Sequence, residues 1–356
     1  MNNFQMRQPP PEDSEVVFGR YEDRPVTRYD YVAQSAQSVR SSRSQYDVVP
    51  SPANADAMRG NLEQRKRDMQ RRCAEAAQRL NSTLLFGMTT SLVLQSVPLP
   101  MDCDLDSYEL HTVSSSRDQR VRVRGLPIHP HIWKHASTAE KVRVDQNVYA
   151  LDLFHVWAQL ATHMTLESLI VLGDSMITAI ARQPLLAGGR TAPMVYGDLK
   201  RFVEDLSGFK GRLACQRALT LIMPGSDSPK ESEERLALRS HGIPQPVLNY
   251  EVPGAAFRSA VAITLDMAWP EQKVAVEYDG DHHRTDKMQW RRDQEKRDKL
   301  RGRQWIVFVA TAASLADADA RAEFAFNVAR ALASRGAVFA FSVLPKTMRQ
   351  LSISLG

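Results

Sequence analysis

Between Ile263 and Arg284, two apolar runs flank a Trp269-Pro270-Glu271-Gln272 break, and each run carries an acidic residue where a strand would ordinarily be apolar. Burying a lone carboxylate costs several kcal/mol or forces it to take up a proton. Two or three placed together call for a cation. Val261–Ala268 and Lys273–Tyr278 read as strands, rich in β-branched and aromatic residues. Pro270 falls in the connection, where its missing N–H does no harm. An antiparallel pair turning about Glu271 and Gln272 sets Asp266 opposite Glu277, with Cβ atoms ~4.5–5.5 Å apart. Glu277 and Asp279, two residues apart, share that face. The expectation is three converging carboxylates whose repulsion is offset by Mg²⁺, a cation that takes oxygen ligands. A metal-dependent hydrolase is therefore the first functional expectation. The plainer alternative is a structural hairpin whose acidic residues around Gly280 form a turn.

The Asp266-to-Glu277 spacing, the run Val-Glu-Tyr-Asp-Gly at 276–280 and the following His282-His283 resemble the PD-(D/E)XK nuclease superfamily. The closest likeness is to endonuclease-like domains related to the very-short-patch mismatch repair nuclease. The resemblance implies an α/β fold with a restriction-endonuclease-like core of order α-β-β-β-α-β over residues 229–342. Ser232–His241 and Asp286–Arg301 supply the helices. Val247–Val252, Ala260–Ala268, Lys273–Tyr278 and Trp305–Val309 supply the strands. It further implies that Asp266, Glu277 and the first-helix Glu231 hold Mg²⁺, with Mn²⁺ as a substitute, and that Asp279 assists. Where that superfamily has a Lys two places after the Glu, this chain has Asp279. His282 or His283 would then carry the proton or contact the phosphate, work suited to an imidazole. The implied function is a metal-dependent DNA endonuclease hydrolysing phosphodiester bonds, in DNA repair or phage defence. The alternative is a non-catalytic, DNA-binding, antitoxin-like transcriptional regulator with a degenerate nuclease domain.

Asp286–Arg303 carries Lys287, Arg291, Arg292, Lys296, Arg297, Lys299, Arg301 and Arg303, with few large apolar residues. So polar a helix is not deeply buried. Arg291, Arg292, Lys296 and Arg297 are its candidate contacts to DNA phosphates. Against this, Asp293/Arg297 and Glu295/Lys299 have the i,i+4 spacing of ordinary solvated ion pairs, and Arg297 is equally suited to orienting a carboxylate.

Upstream, residues 1–56 are polar, with Pro9-Pro10-Pro11, a Ser-rich run and Tyr interspersed with Arg. This pattern predicts a disordered tail, with adhesion to nucleic acid or to a protein partner as the alternative. Residues 57–80 predict a basic helix, either solvated or lying on DNA. Asn81-Ser82 would cap a helix over Thr83–Gln95. Tyr108–Val113 and Arg120–Arg124 alternate like paired strands. Val148–Ala158 and Thr165–Met176 read as two amphipathic helices, and Tyr196–Met223 as a further helical region broken at Gly208 and Gly211. The Val148–Met176 pair resembles the part of AbiEi-family antitoxin-like proteins that follows their helix-turn-helix. That implies a mixed, mainly helical domain over 81–223. No helix-turn-helix is readable. The succession resembles an actinobacterial type of fused protein.

His129, His131 and His135 lie close in sequence, with Asp152 and His155 beyond them. Imidazole suits Zn²⁺, but the spacing matches no ligand motif, and surface or capping roles are expected. At 356 residues the chain favours two or more domains. Its net charge of +5 is compatible with nucleic acid. Cys73, Cys103 and Cys215 are far apart, which argues against a disulfide framework. No apolar run reaches the ~18 residues of a membrane span, and no signal-peptide pattern opens the chain. A cytoplasmic protein with no membrane partner is expected.

Overall fold

The computed structural model describes residues 16–17, 55–121, 125, 127–279 and 287–355. Val16–Val17 (β1) and the 25-residue helix α1 (Ala55–Arg79) come first. Met69, Cys73, Ala76 and Ala77 of α1 are buried. They pack with Leu84, Phe86, Leu110, Val148 and Ala150. The helix therefore lies on a sheet instead of standing as a solvated basic rod. Of the predicted tail, only β1 and the first residues of α1 fall within the described residues.

The expected helix Thr83–Gln95 is in fact strand β2 (Leu84–Phe86) followed by helix α2 (Met88–Leu94). Gly87 divides them in an extended conformation. A Cβ there would lie 2.3 Å from Val113 Cγ2 and 2.7 Å from Gln159 Oε1, so only glycine admits this close approach. Strands β3 (Leu110–Ser114), β4 (Ile128–Ile132), β5 (Lys141–Asp145) and β6 (Val148–Leu151) complete a five-stranded sheet of order β4-β3-β2-β6-β5. Strand β3 runs parallel to β4, and the expected pairing of Tyr108–Val113 with Arg120–Arg124 falls largely outside the described residues. Residues 122–124 lie outside the described set. Val148–Ala158 likewise splits. Its first residues form β6, and α3 (Leu153–Leu160) begins where the Asp152 carboxylate accepts the His155 N–H at 3.1 Å. Side-chain capping ends the strand and starts the helix.

Helices α4 (Leu166–Arg182), α5 (Pro184–Ala187), α6 (Ala192–Asp205) and α7 (Arg212–Leu219) build the core beside this sheet, around Trp157, Leu169, Ile170, Met176, Leu199 and Cys215. Helix α8 (Pro229–Ser240) then leads into strands β7 (Val247–Ala256), β8 (Ala262–Trp269) and β9 (Val274–Tyr278), helix α9 (Lys287–Gly302) and strand β10 (Ile306–Ala310). This part of the chain thus runs α-β-β-β-α-β. Its sheet has the order β10-β9-β8-β7, antiparallel throughout except for the parallel β9–β10 pair. Helix α10 (Ala318–Ser334) packs Ala325, Val328, Ala329 and Leu332 with Met267, Val274 and Val276. Leu300 of α9 packs with Ala268 and Ala275 in a separate cluster. Strand β11 (Ala340–Phe341) pairs antiparallel with β1, and α11 (Met348–Leu355) follows. The whole is a mixed α/β structure. Among the described residues, no helix is long and apolar enough to cross a membrane.

The two sheets share helix α8. Its Leu236 belongs to the upstream core and its Leu238 to the core of the four-stranded sheet. Arg235 Nη2 donates to Asp174 Oδ2 on α4 at 2.7 Å, with both side chains almost fully buried (3 % and 0 % exposed). Ser232 Oγ donates to the same oxygen at 2.7 Å, and the Met223 N–H donates to Asp174 Oδ1 at 2.8 Å. Gly242 ends α8 with φ +90°, and a Cβ there would meet the Ala340 carbonyl oxygen at 2.2 Å. Leaving one member of a buried pair alone is costly. Asp174→Ala should therefore destabilise the protein by about 3–5 kcal/mol in chemical denaturation, because it strands Arg235.

Glu234 on α8 is also buried, and its Oε2 has no hydrogen-bond partner among the described residues. Burial pushes its pKa up to about 8, against the opposing pull of Arg321. A folded-state value above the unfolded one means that the native state binds the proton more tightly. Stability therefore falls as pH rises from about 4.5 to about 8. Glu234→Gln should raise the melting temperature at pH 8.5 and leave it nearly unchanged at pH 4.5.

Candidate functional site

The β8–β9 hairpin turns where the sequence places it. Met267 pairs with Val276, Ala268 with Ala275 and Trp269 with Val274. One further step in this register sets Asp266 opposite Glu277. At that point the ladder gives way to a side chain: the Tyr278 N–H donates to Asp266 Oδ2 at 3.0 Å. Asp266, Glu277 and Asp279 line a cavity of about 380 Å³, together with Asp293, Lys296, Arg297 and Arg301 of α9 and Trp305, Val307 and Val309 of the β10 segment. Asp279 is held by its main chain, whose N–H donates to the Ala310 carbonyl at 2.8 Å.

Lys296 is the residue whose role changes most. Read from sequence it is one of four phosphate contacts. In the fold its Nζ donates to Glu277 Oε1, with the two side chains only 21 % and 20 % exposed. The amine thus lies inside the acidic site. Burial pushes the Glu277 carboxyl up, Lys296 pulls it down, and Asp266 adds repulsion. Burial likewise raises Asp266, opposed by the Tyr278 N–H and by Lys296. Two opposed carboxylates and one ammonium thus meet in a poorly solvated place.

Glu231 sits at the third position of α8, and both its oxygens serve the helix start. Oε2 accepts the Asp227 N–H at 2.8 Å and Oε1 accepts the Ser228 hydroxyl at 2.9 Å. The Ser228 hydroxyl oxygen in turn accepts the Glu231 N–H at 3.2 Å. This is a reciprocal cap, and it turns Glu231 toward its own helix. The residue still lies near enough to Asp266 to be repelled by it. Burial and that repulsion push its pKa up to about 8. Among the described residues, no three His, Cys, Asp or Glu side chains are grouped so as to hold a metal ion. The acidic pair proper is Asp266 and Glu277. His282 and His283 lie outside the described residues.

The other cations of α9 divide by use. Lys299 Nζ donates to the Ala256 carbonyl, Arg303 donates to the Gly254 carbonyl, and Arg292 lies 4.5 Å from the Phe257 ring centroid. Glu295 accepts the Arg258 N–H at 2.7 Å and pairs with Lys299 at 3.1 Å. These contacts tie α9 to the β7–β8 turn. Arg291 and Arg297 are exposed. Arg297 lines the cavity, and Arg301 stands on its rim with a loose 3.8 Å contact to Asp298.

No family model matches this chain, and no solved structure matches it. Uncharacterized proteins from two strains of Mycobacterium tuberculosis, CDC 1551 / Oshkosh and ATCC 25618 / H37Rv, are each 27% identical to it over 110 residues. The matched stretch covers 31% of this chain, and the chain spans 40% of the length of those relatives.

Asp266→Asn removes the repulsion and should draw the Glu231 pKa down from about 8 toward the ordinary carboxylate range. Carboxyl-carbon NMR titration reads this directly. An unmoved value would separate the two groups.

Proposed function

We propose that the chain is a metal-dependent nuclease that hydrolyses phosphodiester bonds, with DNA as its substrate. The observation that carries the reading is the meeting of Asp266, Glu277 and Lys296 in one cavity beneath a basic helix. The α-β-β-β-α-β order from α8 to β10 supports it, because it is the order expected of a restriction-endonuclease-like core.

The residues fit Mg²⁺ or Mn²⁺. The donors are all oxygen, and Mg²⁺ ordinarily uses one or two carboxylates while keeping its own waters and taking substrate phosphate. Asp266 and Glu277 would hold the ion. Glu231, with both oxygens engaged in its cap, is assigned a supporting place. The ion would supply polarisation of a phosphoryl oxygen and activation of water. In hydrolysis the water oxygen forms a bond to phosphorus and gives up a proton to solvent, while the bond from phosphorus to the leaving sugar oxygen breaks and that oxygen takes up a proton. Lys296 answers the missing Lys two residues after Glu277. Its ammonium, supplied from α9, would donate to a phosphoryl oxygen as charge grows there. Arg297 and Arg291 would contact flanking phosphates. His282 or His283 remains assigned to proton delivery.

A second reading, a non-catalytic nucleic-acid binder of the antitoxin-like kind, draws on the same Lys296–Glu277 pair, which neutralises part of the site without a metal. Plasmid and single-stranded DNA cleavage with Mg²⁺ or Mn²⁺ separates the two. Asp266→Asn, Glu277→Gln and Lys296→Met should each lower cleavage by about 100-fold or more, in keeping with loss of a charge-stabilising group. DNA binding should persist. Binding with no cleavage of any substrate would favour the regulator.

A further inference from the structure

The acidic pair adjoins an apolar ledge. In the parallel β9–β10 pair, Val309 is the register partner of Glu277 and Val307 of Ala275. Register partners share a face of the sheet, as do residues two apart on one strand. Val309, Val307 and Trp305, which stands just before β10, therefore form one row that ends beside Glu277. All three line the same cavity as Asp266, Glu277 and Lys296.

The two faces of β10 are covered differently. On the far face, Phe308 meets Phe324 of α10 edge-on, with ring centroids 6.3 Å apart, and Ala310 is buried. On the cavity face, α9 sets Leu300 in a cluster with Ala268 and Ala275 of the two inner strands. The row on β10 is left part-open. Trp305 and Val307 are half-buried, and Val309 is 39 % exposed. Strand β10 is at the end of its sheet, so no further strand of that sheet lies over the ledge. The Trp305 ring is braced from behind by Tyr250, 5.8 Å away between centroids.

A phosphodiester on its own has no use for an indole and two valines. Its charge is met by cations, and Lys296 and Arg297 supply those. In a paired duplex the bases are stacked away inside, so a scissile phosphate is flanked by sugar and by further phosphates. An unpaired nucleotide differs, because its base is free to turn toward the protein and every base has a π-face to lay against an apolar wall. Sites for single strands combine a basic groove with an aromatic platform. Here Arg297 and Arg301, four residues apart on α9, share the cavity with Trp305. At about 380 Å³ the cavity is within the size range of small-ligand sites.

Resting on the phosphodiester reading above, we propose that this cavity takes an unpaired nucleobase next to the scissile phosphate, and that the substrate is DNA that is single-stranded at the point of cleavage. The base lies against the row Trp305, Val307 and Val309. The acidic pair faces the phosphate, and Arg297 and Arg301 meet the phosphates on either side. A base still held in its duplex stack does not reach the row, and drawing it out costs the energy of unpairing.

The test is fluorescence anisotropy with three probes of equal length: oligothymidylate, the same backbone with every nucleoside abasic, and the fully paired duplex. It uses the Asp266→Asn chain, which holds a substrate uncut. Oligothymidylate and the abasic strand carry the same phosphates, so only the bases distinguish them. Oligothymidylate should bind about tenfold or more tighter than the abasic strand, and tighter than the duplex. Trp305→Ala should reduce that preference severalfold. Should Trp305→Ala fail to fold, Val309→Gln, on an exposed side chain, carries the test. Equal binding of the abasic strand, or a duplex bound as tightly as oligothymidylate, would overturn the proposal. Cleavage by the wild-type chain with Mg²⁺ keeps the two readings apart. Cutting of the duplex as fast as the single strand leaves a nuclease without this base site, whereas base-dependent binding with no cutting leaves the base site without a nuclease.

Discussion

The buried contact between Asp174 and Arg235 governs how this molecule is put together. A charge pair withdrawn from water needs every remaining lone pair and proton matched. Asp174 is accordingly surrounded by the Met223 N–H, the Ser232 hydroxyl and the Arg235 guanidinium. Those donors come from α8 and the segment leading into it, while Asp174 itself is on α4. Helix α8 is thereby registered against the upstream helices, and it carries Leu236 into one core and Leu238 into the other. The first turn of that helix holds Glu231, whose carboxyl is repelled by Asp266, so an ion pair in the neighbouring layer also fixes the helix that carries this carboxyl near the acidic site.

The acidic site illustrates how a fold holds groups that would not choose to be together. Strand register alone brings Asp266 opposite Glu277, and the apolar cluster of Ala268, Ala275 and Leu300 below them limits water. Lys296 enters from α9 and supplies a compensating charge. Because the cation is a side chain, its head can be drawn aside by a stronger partner while the helix stays anchored through Leu300, Lys299 and Arg303.

Much of this was legible in the sequence, for identifiable reasons. The β8–β9 register follows from period-2 alternation about a proline-containing break, and that is the signal the Asp266/Glu277 reading used. The helices and strands from Pro229 to Ala310 follow from strong local patterns. Upstream, Thr83–Gln95 and Val148–Ala158 are each apolar enough to pass as one helix. The break at Gly87 depends on contacts with Val113 and Gln159, and the one at Asp152 on a cap, neither of which is a periodic signal. Lys296 was seen as basic but not as inward, because its direction is decided by the strand it faces. The histidines suffered the same blindness. His129 and His131 group with His111 across strands, while His135, nearer in sequence, sits against Trp133.

The tethering of α9 to the β7–β8 turn has an electrostatic corollary. Eight cations between Lys287 and Arg303 suggest a helix that would shed many counterions on meeting a polyanion. Yet Lys296, Lys299, Arg303 and Arg292 are already committed to a carboxylate, two carbonyls and an aromatic face. Over residues 291–303 the uncommitted charge is carried by Arg291 and Arg297, with Arg301 only loosely held. At about 0.9 counterions released per phosphate neutralised on a duplex, this stretch of the helix would lend a salt dependence closer to that of a short basic loop than its composition advertises.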